Sequence, residues 1–112
     1  MKEIPERDWK FLCSIKAEML EELSGRINED TRKILERAGI SQNEKRREIY
    51  GLILDRDRVI ARCFDDWRRS TLIERCWALR RYGLLEEPRL KQLHPETQER
   101  ILTFEKEFGP TR

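Results

Sequence analysis

A helical apolar pattern runs from Ile49 to Leu79 and changes phase at Arg68-Arg69-Ser70-Thr71. Upstream, Ile49, Leu52, Ile53, Val59, Ile60, Cys63, Phe64 and Trp67 fall on one face at about 100° per residue. Downstream, Leu72, Ile73, Cys76, Trp77 and Leu79 recur at helical spacing on a face turned well away from the first. Two helices therefore abut at this point, and Arg56 stands in the middle of the first apolar face.

The N-terminal third carries another stripe. Trp9, Leu12, Ile15, Met19, Leu20, Leu23, Ile27, Ile34 and Ala38 keep to one side of a helix, while Gly25 falls on its polar side. The spacing predicts a helix over 6–37, with Pro5 in the first turn and Gly39 as the stop. Asp30 and Thr31 are polar positions on this stripe, so a break near Asn28 is the alternative.

Further boundaries follow from capping chemistry. Ser41-Gln42-Asn43-Glu44 reads as a capping box that opens a second long helix over 42–68. Thr71-Leu72-Ile73-Glu74 has the same form and opens a third over 71–82, stopped by Gly83. Leu84 and Leu85 are expected to fold back into the core. Glu87-Pro88 opens a short turn over 88–93. His94-Pro95-Glu96-Thr97 opens a last helix over 95–108, closed by Gly109-Pro110. No segment alternates with a period of two. The expected fold is all-α: one domain over 1–112, an elongated antiparallel helical hairpin with three shorter C-terminal helices, bundle-like.

Dimensions sharpen the expectation. A helix of about 32 residues is ~48 Å long at 1.5 Å per residue. A compact domain of this size has a radius of gyration near 13 Å. The chain cannot enclose its own hairpin, and some apolar surface is left over. A second copy or another helical partner would bury it in a four-helix arrangement, so a homodimer is expected.

Composition limits the function classes. Charged residues make up 41% of the chain, but three Trp, four Phe and two Tyr supply packing surface that a disordered chain lacks. Net charge is only +2. Residues 41–85 hold eleven cations against seven acids, and ten of those cations are Arg. That bias falls short of a dedicated nucleic-acid surface, and Arg suits planar carboxylate partners as readily as phosphates. Cys13, Cys63 and Cys76 have no paired spacing, which points to reduced thiols on apolar faces and a cytoplasmic setting. The first residues lack an apolar signal core, and no run approaches the ~20 residues of a membrane span.

Candidate chemistry centres on two clusters. A buried unpaired Arg56 would be costly, so Asp30 on the first helix is the expected partner in a structural pair. Recognition of an anionic ligand by Arg56, or a guanidinium reaching out to water, are the alternatives. The second cluster is Phe64-Asp65-Asp66-Trp67-Arg68-Arg69-Ser70-Thr71, in which Asp65, Asp66, Arg68 and Arg69 form either a neutralised helix junction or a binding site beside Arg56. Adjacent Asp on a helix point about 100° apart and chelate poorly. His94, the one histidine, is expected to cap or lie at the surface. Three distant Cys and His94 lack zinc-ligand spacing, so neither a metal nor a cofactor is expected. There is no Gly-rich phosphate loop or nucleophile elbow. Ala78 to Gly83 is one residue too long for a helix-turn-helix, and only Arg89 and Lys91 would reach bases.

The order Arg56-Asp57, Phe64-Asp65-Asp66, Arg68-Arg69-Ser70-Thr71, Tyr82-Gly83-Leu84-Leu85 and Pro95-Glu96-Thr97 resembles a group of small bacterial helical proteins without assigned activity. The resemblance covers most of the chain from Ser41 onward and implies a bacterial, cytoplasmic protein. The residues themselves favour a non-enzymatic protein-interaction module, with Trp67 and Trp77 as candidate anchors and Arg56 with Asp65–Thr71 as the polar hot spot. A nucleic-acid binder using Arg46, Arg47, Arg68, Arg69, Arg80 and Arg81 is the second class. A small-anion sensor or enzyme centred on Arg56 is the third.

Overall fold

The computed structural model describes residues 3–109. Five helices follow in order, α1 (Glu6–Glu36), α2 (Gln42–Phe64), α3 (Leu72–Arg81), α4 (Glu87–Leu90) and α5 (Pro95–Phe108), and a single 3-10 turn at Arg69–Thr71 precedes α3. No strand occurs among the described residues. The all-α class and the long hairpin are as the periodicity predicts. Met1, Lys2 and Pro110 lie outside the described residues.

α1 is continuous through Ser24-Gly25 and Asn28, so the alternative break does not occur. Pro5 stands just ahead of the first turn, its carbonyl accepting from Asp8 and Trp9 N–H at 3.0 Å each. Gly39, at φ 86°, reverses the chain after α1. Ser41 Oγ then accepts from Glu44 N–H at 3.1 Å and opens α2. α1 and α2 pack antiparallel, while α3 packs on α5 and on the end of α2.

α2 stops at Phe64, not near residue 68. Asp65 is extended, Asp66 takes φ 54°, and Trp67 and Arg68 continue as an irregular link. Trp67 still reaches the apolar surface, stacked on Phe64 with ring centroids 6.1 Å apart. Its apparent place in the helical period is therefore a return after a turn. Thr71 does not cap α3 as predicted. Its hydroxyl accepts from Arg68 N–H at 3.2 Å and donates to the Asp66 carbonyl at 2.5 Å, closing the link on itself.

At the other end of α3, Gly83 adopts φ 71°, and Leu84 and Leu85 N–H both return to the Leu79 carbonyl, at 2.8 and 3.3 Å. This turn drives both leucines wholly into the core. They meet Leu12 and Met19 of α1, Cys63 of α2, Leu72 and Leu79 of α3, and Ile101 of α5 in one apolar cluster. α4 is shorter than expected, and Leu93 behind it is buried. Cys63 and Cys76 are core residues, but Cys13 is exposed, contrary to its expected place on an apolar face, because no element covers that flank of α1.

The core occupies only one end. Buried residues of α1 stop at Ile27, and those of α2 begin at Val59. Residues 28–58 contain no buried side chain. The hairpin's far end extends past the globular part, giving extents of 52 × 27 × 24 Å and a radius of gyration of 16.6 Å.

Candidate functional site

Where the bare hairpin meets the core, α1, α2 and the end of α3 enclose a cleft of about 570 Å³. Helical spacing brings Arg26 and Asp30 to it from α1, and Asp55, Arg56, Arg58 and Arg62 from α2, with Tyr82 closing one side. Four guanidiniums thus face two carboxylates around one cavity.

Their partners differ. Arg56 Nη2 lies 3.6 Å from Asp30 Oδ2, and Nη1 donates to Asp55 Oδ2. A third of the Arg56 side chain is open to water, so this is a screened surface pair and not the buried charge its apolar neighbours predict. Arg26 donates to the carbonyls of Tyr82 at 2.6 Å and Gly83 at 3.0 Å, satisfying groups that the end of α3 leaves open. Arg62 donates only to the Tyr82 hydroxyl, at 3.3 Å. Arg58 has no hydrogen bond or ion pair among the described residues.

The second predicted cluster does not join Arg56. Eight residues of α2 separate Arg56 from Phe64, ~12 Å along the axis. Arg68 grips Asp66 through two bonds, Nε to Oδ1 at 2.6 Å and Nη2 to Oδ2 at 3.1 Å. The Arg68 hydrogen bonds hold the Asp66 carboxyl below its ordinary range. Arg75 donates to the Asp65 carbonyl at 2.8 Å. Arg69 turns the other way, to the Ile4 carbonyl at 2.7 Å and within 3.7 Å of Glu3. These side chains close the turn and tie the N-terminal segment to it.

Sequence reasoning missed Asp8, which is 0% exposed. Its carboxylate accepts from His94 N–H at 3.1 Å and from the Thr97 hydroxyl at 2.5 Å, at the start of α5. A negative charge there offsets the open N–H groups of the helix end. His94 Nδ1 takes the next N–H, from Glu96, at 3.1 Å. The available signal was that Asp8 precedes Leu12 by one helical turn and lies on the apolar stripe. Burial, with the Asp8 charge adding to it, pushes the Cys76 thiol up to about 12. Burial likewise raises Cys63 to about 11, although Arg75 and Arg62 oppose the rise.

Most other candidate groups are engaged within the fold. Trp67 lies under Lys16, 4.8 Å from its ring centre. Trp77 Nε1 donates to the Gly109 carbonyl at 3.1 Å and its ring meets Phe104. Of the six arginines named for nucleic acid, Arg46 is tied to Asn43, Arg68 and Arg69 serve the junction, and Arg80 bridges to Glu105 and the Leu85 carbonyl. No group of His, Cys, Asp or Glu among the described residues has metal-binding geometry. No described helix is long and apolar enough to cross a membrane.

Comparison of the chain with models of protein families, with curated proteins and with solved structures finds no match. The functional reading rests on geometry and chemistry.

Proposed function

We propose that this chain is a non-enzymatic helical interaction module that pairs with a second copy through the core-free end of its hairpin. The observation that carries the reading is the stretch 28–58, long, helical and without a buried side chain. Fixing one residue's backbone costs roughly 1–2 kcal/mol, and most helical stability in proteins comes from burying an apolar face. Here that face is still open. Leu35 is 53% exposed, Tyr50 64%, Ile53 38% and Leu54 46%, all at this end. Such clustering supports a docking surface where scattered exposed residues would need no explanation.

The chemistry supports a binding role. The one histidine caps α5, and the Cys63 and Cys76 thiols sit in the core with their pKa raised by burial, so these three side chains serve the fold. Three free thiols suit a reducing, cytoplasmic setting, and the sequence resemblance supports a bacterial one. The Asp65–Thr71 segment is a weaker hot spot than the hairpin end, because its charges already serve the turn. Sedimentation across a concentration series is the test: a reversible dimer is expected, and a monomer at the highest concentration would remove the self-pairing.

A second reading has its own observation. Arg58 and Arg62 are one helical turn apart in the same cleft, the first unpaired and the second lightly held. Their mutual repulsion would be relieved by an anion between them. Thermal shifts with inorganic phosphate and with dicarboxylates test this, and a flat response would discard it.

A further inference from the structure

We propose that two copies pair through the outward faces of α2, antiparallel about a two-fold axis level with Leu52, so that Arg47 of each copy meets the partner's Asp57. The inference rests on the self-pairing read above and adds its surface, direction and register.

The face is defined by what α1 covers. Lys45, Glu48, Arg56 and Val59 lie on the α1 side of α2: Lys45 donates to the Leu35 carbonyl, Glu48 pairs with Arg37, Arg56 pairs with Asp30, and Val59 is buried. Tyr50 and Leu54 fall roughly opposite, at about 100° per residue, and both project into water. Arg47, Asp57 and Ala61 continue that outer row at helical spacing. Neither Arg47 nor Asp57 has a hydrogen bond or ion pair among the described residues.

A two-fold axis brings positions equidistant from Leu52 opposite one another. Tyr50 then packs on the partner's Leu54. Arg47 meets the partner's Asp57, twice, at the two ends of the contact. Ile53 and Gly51 fall on opposite flanks of this row, and the two-fold keeps each flank on its own side of the pair, so Gly51 comes beside the partner's Gly51 across the axis. A helix-interior glycine weakens α2 relative to alanine, and nothing in this chain uses the space: a Cβ at Gly51 would meet no atom within 4 Å. Two such glycines side by side across the axis let the helices approach closely, which gives the glycine a purpose. Arg46 and the partner's Arg58 come level in this register but on opposite flanks, so these like charges do not meet. Arg46 is drawn back to Asn43 at 3.1 Å.

The test is a charge exchange followed by sedimentation equilibrium, with circular dichroism to check that each variant is folded. Arg47→Asp and Asp57→Arg should each weaken the dimer at least tenfold by placing like charges together. The double variant Arg47→Asp/Asp57→Arg should return to within about threefold of the parent. Single variants that dimerise like the parent, or a double variant that stays monomeric, would overturn this register while leaving the interaction module standing. A parent chain that never dimerises would sink the self-pairing itself.

Discussion

Asp8 and Thr97, eighty-nine positions apart, share a hydrogen bond of 2.5 Å in the fully buried centre of the molecule. The same carboxylate holds His94 N–H, so one acidic side chain in the first turn of α1 starts the last helix. Replacing Asp8 by Ala leaves the buried Thr97 hydroxyl and the half-buried His94 N–H without this acceptor. The expected loss is about 2–4 kcal/mol, and Thr97→Val should lose about 1–2 kcal/mol. Urea denaturation of both variants measures it. A change below about 0.5 kcal/mol for Asp8→Ala would contradict the role.

The thiols should separate cleanly. Burial raises Cys63 and Cys76 far above neutrality and shields them, whereas Cys13 is exposed. One thiol should react quickly with a disulfide reagent at pH 8 in the native protein, and three after denaturation. Three fast thiols in the native state would mean the core is open around α3.

Stability should fall in acid partly through Glu22. Arg89 donates to both of its oxygens, at 3.1 and 2.5 Å, and holds the carboxyl below its ordinary value of 4.5. A depressed folded pKa contributes stability that is present above the unfolded value and lost as pH falls through the folded one. Glu22 is well solvated, so Glu22→Gln should cost only about 0.5–1 kcal/mol at pH 7. The gap between variant and parent should close as pH falls through the depressed folded-state value. A gap that persists in strong acid, with Glu22 protonated, would show the cost is not electrostatic.

Arg56→Leu should change stability by less than about 1 kcal/mol, because the ion pair with Asp30 is open to water. A double-mutant cycle with Asp30→Asn isolates the pair. Coupling above about 2 kcal/mol would mean that the pair is desolvated.

The hairpin was legible because α1 keeps its stripe for nine turns and Gly39 and Ser41 mark the reversal. Gly83 with Leu84 and Leu85 was legible for the same reason: a left-handed stop followed by large apolar residues has few other uses. The end of α2 was not. Asp66 turns the backbone at φ 54° yet returns Trp67 to the apolar side, so the period runs on through a turn that it cannot register. Asp30 and Arg56 could be matched, since both lie on the facing sides of the two long helices. Arg26 and Arg62 could not, because their partners belong to Tyr82 and Gly83, whose place beside the hairpin depends on how α3 docks.

A hairpin rooted at one end behaves as a cantilever. Its bending grows with distance from Ile27 and Val59, and amide protection should decline along both helices toward Gly39. Clamping Tyr50 and Leu54 would hold the beam partway along its overhang, so a partner could stiffen the hairpin without touching its core.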